Sequence, residues 1–203
     1  SASARDWEVR LTTDEPTGLV PYTLRWAIRN ARPGDRVVFN IQGTSLPATI
    51  NLTSALPTIA NITIDGTTQP SSDPNIKYKV IVRQSNCSCR TTTDAYGYSQ
   101  YMFSVANSVT VTGLKFIIEV NCSTTNIFNQ VTHVGVFRIG TLVNSVNITN
   151  NALQLNYNIT PLISNAAIWR DERVNNCNIN NNLIGIDDNL DQVGAKFGDG
   201  IYI

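Results

Sequence analysis

Ile62-Thr63-Ile64-Asp65-Gly66, Val109-Thr110-Val111-Thr112-Gly113, Val146-Asn147-Ile148-Thr149-Asn150 and Cys177-Asn178-Ile179-Asn180-Asn181 are four versions of one five-residue phrase. Each alternates apolar and polar residues, the period of a strand with one apolar face. Each ends on Gly or Asn, the residues that enter the left-handed backbone region at least cost. One bend, with positive φ at Gly66, Gly113, Asn150 and Asn181, is therefore expected to follow one strand four times over. Ile62, Ile64, Val109, Val111, Val146, Ile148, Cys177 and Ile179 should line a continuous core.

A second series keeps step with the first: Met102-Phe103-Ser104-Val105, Val136-Phe137-Arg138-Ile139, Ile168-Trp169-Arg170 and Ile201-Tyr202-Ile203. Aligned this way, Arg138 and Arg170 occupy matching positions, as two solvated side chains or as a basic stripe for an acidic glycan. Two short strands and a tight bend, recurring at a period of roughly 30–40 residues, describe a solenoid of stacked repeats. A β-sandwich explains short strands, but not one bend returning in one phase. Asn175, Asn176, Asn178, Asn180, Asn181 and Asn182 crowd a single bend, where stacked Asn side chains can bond along the stacking axis.

Before the repeats, Trp7, Val9 and Leu11 alternate as a strand. Thr23 to Ala31 reads as a helix, with Leu24, Ala27, Ile28 and Ala31 on one face. Thr23 is its candidate N-cap, and Pro33-Gly34-Asp35 stops it. The fold class expected is all-β, a right-handed parallel β-helix. Residues 1–35 supply a strand and a capping helix, and 36–203 supply the coils of a single domain.

The chain has 203 residues, 42% of them hydrophobic and 15% charged, with Lys plus Arg equal to Asp plus Glu. No basic stripe suggests nucleic acid, and no apolar run approaches a membrane span. Ser1 reads as a mature or trimmed start. Asn and Thr stand where a cytosolic protein would carry Lys and Glu. Six glycosylation triplets occur, at Asn51, Asn61, Asn86, Asn121, Asn147 and Asn158. They favour an extracellular or cell-surface location, although an Asn- and Thr-rich chain also makes such triplets by chance. The four cysteines form no CxxC pair. Cys122 is expected to pair with Cys87 or Cys89, and Cys177 to be a buried thiol. With no CxxC pair and a lone His133, no metal and no cofactor is expected.

The run Thr23-Leu24-Arg25-Trp26-Ala27-Ile28-Arg29-Asn30-Ala31, followed by Gly34-Asp35-Arg36-Val37-Val38-Phe39, resembles the N-terminal capping block of secreted and surface right-handed parallel β-helix repeat proteins of bacteria and archaea. The likeness continues through Ile50-Asn51-Leu52, Leu56-Pro57-Thr58-Ile59 and Ile62-Thr63-Ile64-Asp65-Gly66-Thr67-Thr68-Gln69-Pro70. It returns at Asn182-Leu183-Ile184-Gly185 and Gly198-Asp199-Gly200-Ile201-Tyr202-Ile203. It implies the β-helix fold and an adhesin-like role, but no particular activity. Members of that family usually carry further coils beyond such a segment. Here Ile201, Tyr202 and Ile203 are candidates for head-to-tail self-association, since an unclosed heterologous contact builds a filament.

Parallel β-helices also carry polysaccharide-cleaving sites, which need paired carboxylates or a carboxylate-held Ca²⁺ beside a base. Asp187, Asp188, Asp191 and Asp199 are the acidic candidates. No Gly-His-Gly triplet accompanies them, and His133 reads as a strand-edge residue rather than a base. Ice binding needs Thr-x-Thr in register; Thr110 and Thr112 supply it once, among Thr63/Asp65, Asn147/Thr149 and Asn178/Asn180. The expected function is a non-catalytic extracellular structural or adhesive protein with no catalytic residues. Its partners would be further copies, other surface components or glycans. The alternative is a pectate-lyase-like polysaccharide-binding or polysaccharide-cleaving protein.

Overall fold

The computed structural model describes residues 3–87, 93–94, 97–120, 132–140, 142–157, 166–170, 174–186, 189–190 and 199–202. The fold is mostly β, made of parallel sheets with one short α-helix. In chain order come β1 (Asp6–Val9), α1 (Leu24–Asn30), β2 (Arg36–Phe39), β3 (Ala48–Leu52), β4 (Thr63–Asp65) and a 3₁₀ turn at Gly66–Thr68. Then follow β5 (Val80–Cys87), β6 (Thr93–Asp94), β7 (Gly97–Val105), β8 (Val109–Thr112), β9 (Lys115–Val120) and β10 (Thr132–Ile139). The last six are β11 (Asn144–Thr149), β12 (Ala152–Tyr157), β13 (Ala166–Arg170), β14 (Asn175–Asn180), β15 (Leu183–Ile184) and β16 (Asp199–Tyr202).

Three sheets share these strands. The first runs β1-β2-β4-β8-β11-β14, the second β3-β5-β9-β12-β15, and the third β6-β7-β10-β13-β16. From β7 onward each strand joins the next sheet in rotation, so every strand pairs in parallel with one a whole repeat away. The two-residue β6, antiparallel to β7, is the exception. Earlier in the chain, Ile59 takes the third-sheet place through a single parallel bridge to Val105.

The register places like side chains in columns. On the first sheet Val37, Ile64, Val111, Ile148 and Ile179 are successive partners. Ile50, Val82, Phe116, Leu153 and Ile184 form a column of the second sheet, and Phe103, Phe137, Ile168 and Ile201 one of the third. These columns meet inside one apolar core. Phe103, Phe116 and Phe137 bring their rings within 5.2–5.6 Å of one another. Each such side chain contributes roughly 1.5–3 kcal/mol by leaving water. Six of the eight expected core residues are buried. Cys177 and Ile179 are only half-buried, because among the described strands β14 is the outermost of its sheet and has a neighbour on one side alone.

The recurrent bend is present at Gly113, Asn150 and Asn181, with φ of 73°, 58° and 53°. Gly66 departs from it: it opens the 3₁₀ turn, which the Asp65 carboxylate caps through the Thr67 N–H. Gly is needed at 66 for a different reason. A Cβ there would stand 2.5 Å from the Gly113 carbonyl oxygen and 2.5 Å from Leu114 Cδ2. A second left-handed position, at the other end of the same strands, has no glycine to announce it. Asn61, Ser108, Ser145 and Asn176 have φ of 57°, 54°, 60° and 50°, and the strand register places them one above another.

At the N-terminal end β1 pairs with β2, and Leu11 lies beyond the strand, exposed. Helix α1 begins as expected, with the Thr23 hydroxyl accepting from the Trp26 N–H. Leu24, Ala27 and Ile28 are buried, and so is Arg25. Its guanidinium grips both oxygens of Asp14 at 2.7 and 2.8 Å and donates to the Ser54 and Ala55 carbonyls. Asp14 also accepts from the Thr53 N–H and hydroxyl. One ion pair thereby ties the first loop, the helix and the segment after β3.

Candidate functional surfaces

Parallel sheets are normally covered on both faces. The second and third sheets meet that expectation in part: Lys115, Ile117, Ala152 and Gln154 are buried on outward positions of the second and Met102, Val136 and Ala167 on the third, while Asn51 and Ser104 are exposed and Arg83, Arg138 and Trp169 half-buried. Tyr78, Ala152 and Ile186 form a small apolar cluster outside the second sheet. The first sheet differs. Its outward side chains are half-buried or exposed at every described strand, so its outer face is open.

That open face is two columns of polar side chains. Thr63, Thr110, Asn147 and Asn178 stand in one, Asp65, Thr112, Thr149 and Asn180 in the other, and neither pairing slips. Neighbours within a column are about 4.8 Å apart and the columns about 6.6 Å apart. At the N-terminal end of the face, Arg36 lies 3.4 Å from Asp65 and 3.8 Å from Asp6, one guanidinium between two carboxylates. From β8 to β14 the outward positions of these two columns carry Thr and Asn alone. Such a face offers paired hydroxyl and amide donors and acceptors, without charge.

Behind the bend the asparagines do stack, through residues 151 and 182. Asn151 is fully buried; its side chain accepts from the Leu114 N–H and donates to the Val111 carbonyl. Asn182 repeats the arrangement one strand on, accepting from the Asn151 N–H and donating to the Ile148 carbonyl. Asn175, Asn176, Asn178, Asn180 and Asn181 are exposed instead.

The arginine stripe on the third sheet does not form. Arg138 pairs with Trp169, and Arg170 pairs with Ile139, one residue out of the expected step. Arg138 and Trp169 share the outward face as a cation–π pair, with 5.3 Å from guanidinium to ring centroid. Arg170 shares the inward column of Val105 and Ile139, and its Nε is buried without a hydrogen-bond partner. Its charge reaches Cys177, a free, half-buried thiol. Burial pushes that thiol above its ordinary value, and the lowering by Arg170 is the smaller effect.

Among the glycosylation candidates, Asn51 is exposed on β3, Asn61 is half-buried at a bend, and Asn147 is half-buried at the centre of the open face. Asn86 lies in β5, with its side chain outside the described set, and Asn121 and Asn158 lie outside the described residues. Cys87 pairs by backbone with Val120; its side chain, and all of Cys89 and Cys122, lie outside. So do Asp187, Asp188, Asp191 and Ile203. His133 and Asp199 are placed by backbone alone, opposite Ser99 and Ala166. Ile201 pairs with Ile168, and Tyr202 with Trp169. Among the described residues, no cluster of three or more His, Cys, Asp or Glu could hold a metal ion, and no helix is long and apolar enough to cross a membrane. Comparison with known proteins finds no matching family profile, no matching curated protein and no matching solved structure.

Proposed function

We propose that the chain is a right-handed parallel β-helix that serves outside the cytoplasm as a non-catalytic structural or adhesive surface protein, assembling head to tail with further copies. Rotation of the chain through three in-register parallel sheets supports the coil architecture. The near-universal right-handedness of parallel crossovers supports its hand. The exposed Asn51 triplet supports passage through a glycosylating compartment.

The observation that carries the assembly is one column. Phe103, Phe137 and Ile168 are fully buried, whereas Ile201, next in line, is 40% exposed. Half-buried Ile179 and Ile184 stand at the ends of two other columns. An exposed apolar position in such a column invites a further strand, and in the proposed assembly a second copy supplies it. Electron microscopy of the concentrated protein is expected to show filaments that Ile201→Lys abolishes. A monodisperse monomer that releases reducing ends or unsaturated uronides from a polysaccharide would overturn the reading.

A further inference from the structure

We infer that the open face of the first sheet is a binding surface for a neutral polysaccharide; this rests on the adhesive reading above and names its ligand class. Thr110, Thr112, Asn147, Thr149, Asn178 and Asn180 form a two-column array in unbroken register. The other two sheets bury several of their outward side chains and this one buries none among the described residues, which sets it apart as the side turned to a partner.

The chemistry of the array selects the partner. An anionic polymer is held by Lys and Arg, and none projects from β8, β11 or β14 on this face. Arg36, nearest to it, is engaged by Asp6 and Asp65. A protein partner is anchored by aromatic residues and Arg in desolvated pockets, and from β8 to β14 this face has neither. What remains is a ligand without charge that presents hydroxyl donors and acceptors in a repeating row. The pairs Thr110/Thr112, Asn147/Thr149 and Asn178/Asn180 meet it at the strand spacing of about 4.8 Å. Each contact is weak alone, and several along one chain act together. Asn147 lies at the centre of the array and is also a glycosylation candidate, so a sugar attached there and a chain bound there exclude one another.

The test is depletion of the intact chain, produced without N-glycans, by cellulose, chitin, insoluble xylan and mannan. Polygalacturonate serves as the acidic comparison and ice growth as the ordered-water comparison. At least one neutral polysaccharide is expected to deplete the protein. Thr149→Arg should weaken that retention about tenfold or more, while Ser104→Arg, exposed on the third sheet, leaves it unchanged. If Thr149→Arg does not fold, Asn178→Arg at an exposed position takes its place. The inference falls if no neutral polysaccharide retains the protein, if polygalacturonate retains it better, if it shapes ice without retention, or if the arginine variant binds as the parent does. Release of reducing ends would overturn the non-catalytic reading and leave this inference standing. Filaments without retention would overturn this inference alone.

Discussion

The side-chain oxygen of Asn182 accepts the backbone N–H of Asn151 at 3.0 Å, and Asn151 does the same for Leu114 at 3.1 Å. Each asparagine supplies, from inside the bend, the partner that a turning strand leaves its neighbour without. Removing one leaves a buried donor and a buried acceptor unpaired, at about 1–3 kcal/mol each. Asn151→Leu copies the residue at the equivalent place one repeat earlier, yet strands the Leu114 N–H and the Val111 carbonyl. It is expected to lower stability by about 2–4 kcal/mol in urea unfolding. A loss below about 0.5 kcal/mol would mean that the ladder is incidental.

The bend after β8 is closed to side chains. Gly113 has φ of 73°, and a Cβ there would meet Thr67 Cγ2 at 2.5 Å and the Thr67 nitrogen at 2.9 Å. Gly113→Ala therefore combines backbone strain of about 1–3 kcal/mol with a contact that displaces the 3₁₀ turn. The equivalent Asn150 already holds its bend with a side chain, so Asn150→Gly should cost less than about 1 kcal/mol. Thermal melts of the two variants should differ clearly, and equal melts would refute the asymmetry.

Asp14 and Arg25 form the one buried ion pair among the described residues, with side chains 1% and 4% exposed. Burial raises the Asp14 carboxyl, but the hydrogen bonds from Arg25 and Thr53, with the Arg25 charge, outweigh it and hold Asp14 below its ordinary value. Asp14→Ala strands the guanidinium and should cost about 3–5 kcal/mol. Replacing both partners, Asp14→Leu with Arg25→Met, should recover part of that loss. If the double variant is the less stable, the pair contributes more than it costs to bury.

Asp35 responds to acid in the same sense. Its carboxylate accepts from the Arg32 N–H, the Trp7 indole N–H and the Arg5 N–H, which hold it below the ordinary Asp value. A depressed native value gives stability that is complete above the unfolded value of about 3.9 and lost as pH falls through the native one. The melting gap between the parent and Asp35→Ala should be flat from pH 7 to about pH 5 and close below about pH 4. A gap that widens on acidification would contradict the clasp.

The alternating phrase and its Gly or Asn made the first sheet legible, down to the partners of Val111 and Ile148. Thr23 likewise announced α1. The left-handed turns at Ser108 and Ser145 were not legible, because serine carries no marked preference for positive φ and only its place in the stack imposes it. Arg25 and Asp14 were hidden for the opposite reason: ionisable residues read as surface until geometry pairs them. The third sheet slipped by one residue at β13 because Trp169 matches Phe137 in character, while the pairing matches Ile168 to it. Of the candidate surface, the Thr and Asn positions were legible. That the other two sheets bury some of their outward side chains was not, since burial of Ala152 or Gln154 depends on what lies over them.

Gln84 supplies the remaining test. It stands in an inward column between Leu52 and Ile118, with Leu155 one strand further. It is buried, and its side-chain oxygen has no hydrogen-bond partner. A buried acceptor left unpaired costs about 1–3 kcal/mol, and nothing in the apolar column returns it. Leucine at 84 would continue the column with a side chain of similar volume. Gln84→Leu should therefore raise the urea midpoint by an amount equivalent to about 1–2 kcal/mol with an unchanged m-value. The register of β5 against β9 shifts just after this residue, between Gln84 and Cys87, so the amide could instead serve to set that irregularity. A destabilised Gln84→Leu variant would show that it does, and that β5 keeps its polar residue for shape rather than tolerating it.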